Sequence, residues 1–408
     1  MIAVHEFGHA LGFAHEQNRN DTPSSCIEPQ QETNGDTLIG SWDLKSVMNY
    51  CNPDWNGDGE LSSTDITMVQ QFYGSPYYDV TLGVASFGYN AGGWRVENHP
   101  RMMADVNGDG KADVVGFANA GVYVSLSNGN GTFQNPQLGV ASFGYNAGGW
   151  RTQNHPRMMA DVNGDGKADV VGFANAGVYV SLSNGNGTFQ NPQLGVASFG
   201  YNAGGWRTQN HPRMMADVNG DGKDDVVGFA NAGVYVSLSN GNGTFQHPQL
   251  GVASFGYNAG GWRVENHPRM MADVNGDGKA DVVGFANAGV NVSLSNGNGT
   301  FQNPQLGVAS FGYNAGGWRV ENHPRMMADV NGDGNLDVVG FANAGVYVSL
   351  SNGNGTFDSA KQISNTFGNT AGGWSAQKHP RFMADITGDG KSEIIGFGNS
   401  GVHTGIDQ

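Results

Sequence analysis

His5, Glu6, His9 and His15 stand at spacings that suit metal-assisted hydrolysis. Residues 5–15 read His-Glu-Phe-Gly-His-Ala-Leu-Gly-Phe-Ala-His. On a helix His5 and His9, four residues apart, share one face and can hold one zinc ion. Glu6, beside the first ligand, can act as general base toward zinc-bound water. Gly12 lets the chain leave the helix sharply, so that His15 returns as a third ligand. Three protein ligands leave a position for water, which marks catalytic rather than structural zinc. The plain alternative is an amphipathic helix with surface histidines, which leaves the Glu and Gly at fixed offsets unexplained.

A second chemistry recurs through the rest of the chain. Asp105-Val-Asn-Gly-Asp-Gly-Lys-Ala-Asp113 places oxygen donors at loop positions 1, 3, 5 and 9, namely Asp105, Asn107, Asp109 and Asp113. Alternate oxygens converging in a short loop suit a hard cation such as calcium, and Gly110 permits the sharp turn. The set returns as Asp161, Asn163, Asp165 and Asp169, and as Asp217, Asn219, Asp221 and Asp225. It returns again as Asp273, Asn275, Asp277 and Asp281, and as Asp329, Asn331, Asp333 and Asp337. The last copy has Asp385, Thr387, Asp389 and Glu393, and the Thr and Glu are expected to weaken it. The alternative is a Gly/Asp-rich turn that binds no metal. Another candidate loop, Asp54 to Asp65, has acids at positions 1, 5 and 12 and precedes a helix-like run, Ile66–Tyr73.

The elements that position these loops follow from an internal repeat. Gly-Val-Ala-Ser-Phe-Gly-Tyr-Asn-Ala-Gly-Gly-Trp-Arg begins at Gly83 and recurs at Gly139, Gly195, Gly251 and Gly307, a period of 56 residues. A divergent sixth copy starts at Ile363. Within a copy, Met102–Asp105, Asp113–Phe117, Gly121–Leu126 and Gln137–Phe143 alternate as strands do, with turn residues between them. Four strands per repeat predict a propeller blade. The last copy stops without a fourth strand, while a spare one stands early, at Val80–Gly88. That strand can complete the last blade and close the ring, giving six blades; an open solenoid would leave two sheet edges exposed. The expected class is therefore mainly β, a six-bladed β-propeller of 56-residue repeats over 80–408. Ahead of it stand a short joint at 75–79 and a small, mainly α unit at 1–74.

Each copy, the sixth included, keeps one Trp, one His and one Arg: Trp94, His99 and Arg101 in the first, Trp150, His155 and Arg157 in the second. An aromatic face with nearby polar donors can hold a sugar. Equally, the Trp can wedge adjacent blades while His and Arg pair internally.

The pattern His-Glu-x-x-His-x-x-Gly-x-x-His resembles the metzincin metalloproteases, and His15-Glu-Gln-Asn-Arg19 is similar to their astacin branch. Ser46-Val-Met-Asn-Tyr50 looks like their Met-turn. The resemblance places Met48 beneath the zinc and makes Tyr50 the residue that approaches the metal or steadies the oxyanion; spacing alone leaves both as core residues. It covers 1–74 and lacks the upper half of such a domain, so the chain is expected to begin in mid-domain. The Asp loops resemble the calcium hairpins of integrin-α-like FG-GAP (VCBS) propellers. The repeat is similar to fungal propeller lectins, which implies N-acetylglucosamine glycans as partners.

The 408 residues carry a formal charge of −16, which disfavours nucleic acid and anionic membranes. No stretch approaches the roughly 20 apolar residues of a membrane span. Cys26 and Cys51 form either a disulfide, fitting an exported protein, or two buried thiols. Two functions follow. One is a secreted zinc endopeptidase acting on peptide or protein substrates, anchored to glycan or matrix by its propeller. The other is a calcium-stabilised multivalent lectin carrying an inactive protease remnant.

Overall fold

The structure, a computed structural model, describes residues 5, 8–9, 12–31, 37, 40–52, 61–62, 64–65, 68–69 and 79–406. The chain divides into two compact units, 1–76 with 408, and 77–407.

In the second unit, blade one is an antiparallel sheet of β2 (Arg101–Ala104), β3 (Asp113–Phe117), β4 (Val122–Ser125) and β5 (Gln137–Val140), in that spatial order. Four further sheets repeat it. The sixth joins strands Arg381–Ala384, Glu393–Phe397 and Val402–Ile406 to β1 (Asp79–Val84), the strand that precedes blade one in sequence. β1 runs antiparallel to Val402–Ile406, with Leu82 opposite His403. The ring thus closes with six blades. The first strands of neighbouring blades touch one another, so β2 and its equivalents are innermost.

β3 is buried at all five positions because it is covered on both faces. Its Val115 and Phe117 pack with Phe143 and Trp150 toward blade two, and its Val114 packs with Phe87, Trp94 and Phe397 toward blade six. Gly116 is small for a stated reason. A Cβ there would lie 2.5 Å from the Trp94 ring. The fourth strand is shorter than its sequence pattern, ending at Val140 because Phe143 turns left-handed at φ 57°. That conformation is uncommon for a bulky residue, and here it drives a fully buried ring between blades.

The loops joining β2 to β3 form a closed chain around one end. Ala112 N–H donates to Asp385 O at 2.7 Å, Ala168 N–H to Asp105 O, and Asp224 N–H to Asp161 O. Ala280, Leu336 and Ser392 continue the series.

The first unit does not show the mainly α half-domain expected of it. Among its described residues, α-helical ones are limited to His5, Gly8, His9, Thr64, Asp65, Met68 and Val69, with one 3-10 turn at Glu16–Asn18. The rest runs as turns and irregular chain, beginning where Gly12 (φ 87°) stops the helix. Cys26 and Cys51 are disulfide-bonded, with Cα atoms 5.4 Å apart.

Candidate functional site

In the first unit the three histidines meet. His5, His9 and His15 Nε2 atoms lie 3.0–3.2 Å from one another. Tetrahedral zinc with bonds of about 2.0–2.1 Å would space its ligand atoms about 3.3 Å apart, so the donor set fits. His5 Nδ1 is bonded to Val47 O at 2.7 Å and His9 Nδ1 to Phe13 O at 2.9 Å, which turns both Nε2 lone pairs inward. Tyr50 Oη lies 3.1 Å from His5 Nε2. Met48 is buried beneath the helix, where a Cβ on Gly8 would strike its sulfur. Glu6 lies outside the described residues, as do residues 54–60 and 63 of the Asp54–Asp65 loop.

Asp65, the last acid of that loop, is hydrogen-bonded within the first unit. Its Oδ2 accepts Ser62 N–H while Ser62 Oγ accepts Asp65 N–H, a reciprocal helix cap. Its carboxylate also accepts Ser46 Oγ–H at 2.6 Å and Val47 N–H at 3.0 Å. Its oxygens hold the turn that carries Met48.

In the propeller loops Asp105 accepts the Asn107, Gly108 and Asp109 amides on Oδ1 and the Gly110 amide on Oδ2. Asp113 is fully buried; its Oδ2 accepts Val106 N–H and its Oδ1 accepts Ser127 N–H. Burial pushes its carboxyl up to about 7, and likewise those of Asp169, Asp225 and Asp281. The divergent sixth loop gathers its acids most closely. Asp385, Asp389 and Glu393 bring carboxylate oxygens within 4.8 Å of one another, which the other loops do not do among the described residues. Glu393, one methylene longer, reaches outward to accept Thr387 Oγ–H while still holding Ile386 N–H.

Trp94, His99 and Arg101 come together, but inside the wall. Trp94 stacks on Phe87 at 4.9 Å and is 7% exposed. His99 accepts Arg95 N–H on Nδ1 and bonds Asn119 Oδ1 through Nε2. Arg101 donates to Phe87 O and lies 5.6 Å from the Phe397 ring of blade six. Trp150, His155 and Arg157 repeat this. In the structure both triads pack at the seam between blades, with His155 less buried than His99. Their retention in the divergent copy reflects the need of every blade to seal against the next.

The loop before β2 shows solvent a different pair, which sequence reasoning passed over because the sixth copy changes it. The Arg95 guanidinium stacks 3.7 Å above the half-buried Tyr89 ring, beside exposed Asn90 and Glu97. The pair recurs at Tyr145/Arg151, Tyr201/Arg207, Tyr257/Arg263 and Tyr313/Arg319, while the sixth copy has Asn369 and Ser375. Presence in five near-identical copies and loss in one was the available signal.

Residues 329–396 match the FG-GAP-like repeat family. Residues 52–118 match the dockerin type I domain, although their second part folds as β1, β2 and β3 of the propeller. No protein of curated function matches the chain. Among solved structures, an Agrocybe aegerita lectin that specifically recognises non-reducing terminal N-acetylglucosamine is similar at 49% identity and a TM-score of 0.65, covering 78% of this chain and 79% of that one. The Photorhabdus luminescens Tc holotoxin pore is similar in fold alone, at 15% identity and a TM-score of 0.54, over 81% of this chain and 14% of that one.

These findings overturn the zinc endopeptidase and its peptide or protein substrate. The similarity of high identity, 49% over 78% of the chain, is to a lectin. Moreover, the described part of residues 1–76 contains no strand on which a substrate could align. No helix of the described residues is long and apolar enough to cross a membrane. The extent of identity places the chain in the family of the Agrocybe aegerita β-propeller lectin, with an FG-GAP-like repeat at residues 329–396.

Proposed function

We propose that the propeller is a carbohydrate-binding module for glycans ending in non-reducing N-acetylglucosamine. The observation that carries this is the 49% identity with a lectin of that specificity across 79% of its length. The exposed ends of the loop before β2 and its equivalents support it, since Tyr/Arg pairs beside Asn and either Glu or Gln offer a ring face and hydrogen-bonding groups to a sugar. Five such pairs on one ring give weak sites the means to act together. Titration calorimetry with chitobiose, and with lactose as control, tests the reading. Saturable heat with chitobiose alone is expected; no heat at millimolar sugar refutes it.

Two ions belong to the same proposal. Calcium fits the loop oxygens of the propeller and would offset their buried acids. Zinc fits the three imidazoles of the first unit as a bound ion, with no reaction assigned to it. Elemental analysis of purified protein should return zinc near one per chain in the native sequence and none in His9→Ala. The disulfide supports passage through an oxidising, extracellular route.

A further inference from the structure

The loop joining β4 to β5 carries a motif independent of sugar or metal binding. It reads Asn130-Gly131-Thr132, and the same tripeptide begins at Asn186, Asn242, Asn298 and Asn354. Asn-x-Thr is the acceptor tripeptide for N-linked glycans, provided the Asn lies on the surface of a secreted chain. All five asparagines are exposed. In each loop the Asn Oδ1 accepts from the Thr hydroxyl two residues on, at 2.6–2.7 Å. The Asn Nδ2 atoms have no partner among the described residues, so a substituent there displaces no bond. The backbone beneath is braced: Gln137 donates to Asn186 O at 2.8 Å, and Gln193 and Gln249 do the same for Asn242 and Asn298.

We infer that Asn130, Asn186, Asn242, Asn298 and Asn354 are N-glycan acceptors, forming a collar of five on the end of the ring that carries the Asp loops. In the transfer, Asn Nδ2 bonds to the anomeric carbon of a polyprenyl-diphosphate-linked oligosaccharide. The bond from that carbon to the diphosphate oxygen breaks, the polyprenyl diphosphate leaves, and Nδ2 gives up one proton. Two observations support the site beyond the tripeptide. The Cys26–Cys51 disulfide places folding in an oxidising compartment. The loops also lie where an oligosaccharide can be tolerated. Gly129 neighbours Lys111 and the sixth Asp loop, so the collar sits at the opposite end from the Tyr/Arg pairs and leaves them open. Blade six has no counterpart, because its fourth strand is β1 and no such loop is made.

The test is secretion of the whole chain from yeast behind a cleavable leader, followed by intact mass before and after peptide-N-glycosidase. The native chain should carry at least five oligosaccharides, released with Asp left at each site. A variant with Thr132, Thr188, Thr244, Thr300 and Thr356 all changed to Ser keeps the acceptor and should keep them. The corresponding Thr→Ala variant should lose five. Asn20-Asp21-Thr22 and Asn291-Val292-Ser293 are also acceptor tripeptides, lie outside the collar, and account for any mass that remains. If the fivefold Ala variant does not fold, Thr188→Ala alone should lose one unit. A native chain at its bare polypeptide mass, or Ala variants that keep the full glycan mass, overturns the inference.

Discussion

Replacing Arg213 by Met should change the stability of the propeller by less than about 1 kcal/mol, although the residue is only 4% exposed. Among the described residues the arginine has no carboxylate partner. Its Nη1 donates to Phe199 O at 2.9 Å and its Cζ lies 5.5 Å from the Phe173 ring of the preceding blade, while Nε and Nη2 find no hydrogen-bond acceptor. Burial lowers its pKa from 12.5 to about 10, and the neighbouring Arg207 charge adds to the effect. A fall of that size corresponds to about 3 kcal/mol lost on burying the cation. Against this stand a charged hydrogen bond worth about 1.5–3 kcal/mol and a cation–π contact worth about 0.5–2 kcal/mol. The terms nearly cancel, as they do when buried charges are exchanged for apolar residues of similar size. Arg213→Lys keeps the charge and loses the planar fork, and so should cost more than Met. Urea melts of the native chain, Arg213→Met and Arg213→Lys, followed by tryptophan fluorescence, give the comparison. A Met variant destabilised by more than about 3 kcal/mol, or a Lys variant more stable than Met, would refute the reasoning.

Trp206→Ala should cost about 3–5 kcal/mol, because the ring fills the seam between blades against Phe199 and Gly228; urea melts measure it, and sugar binding lost with stability intact would contradict the packing role. Calcium affinity should fall roughly tenfold from pH 8 to pH 6, since protons compete at carboxyls such as Asp113 and Asp225 whose pKa values lie near 7; calorimetry at the two pH values decides, and a flat profile is the contrary result. His211 is held below the usual histidine value, first by burial and then by the nearby arginines, and its Nδ1 accepts the Arg207 N–H, a bond that a protonated Nδ1 cannot accept. Its contribution is complete above the unfolded value of about pH 6.5 and is lost as pH falls from there through the lower folded value. The melting advantage of the native chain over His211→Gln should therefore be smaller at pH 5.5 than at pH 7.5, and an advantage that grows on acidification excludes this account.

The fold was legible because it is a counting problem. A 56-residue period, six loops and a fourth strand displaced to the front lead to one closed ring, and β1 beside Val402–Ile406 is the strand that the count requires. The sites were less legible because residue type does not report facing. Trp94 and His99 have the chemistry of a sugar platform, and only packing against Phe87 and bonding to Asn119 show that it is turned inward. Tyr89 and Arg95 were hidden for the converse reason, since their stack depends on a loop path that carries no periodicity. Asp65 fits a calcium-loop position by spacing, and spacing does not show that its carboxylate also accepts the N–H of a capping serine three residues earlier. Glu393, expected to weaken its loop, has the reach that draws three carboxylates together.

The two ends of the ring answer to different constraints, and this explains which residues vary. At the Asp-loop end every blade donates an amide to the loop before it, and the closing bond, Ala112 N–H to Asp385 O, falls beside the blade completed by β1. A change in one loop is therefore felt by its neighbour, and the divergent sixth copy keeps the Asp385 backbone bond while altering side chains at positions 3 and 9. At the other end, Tyr89 N–H and Asn90 N–H bond the backbone carbonyls of Gly398 and Asn399, so the loop path is fixed by main chain and the side chains it presents are free to differ. That freedom is used in the sixth copy, where Asn369 and Ser375 replace the Tyr/Arg pair without disturbing the same main-chain bonds to Ala342 and Asn343. A surface that can change side chains without unsealing the ring is the one on which binding can be gained or lost one blade at a time. On that argument the proposed sugar sites belong to five blades, and the sixth chiefly closes the ring.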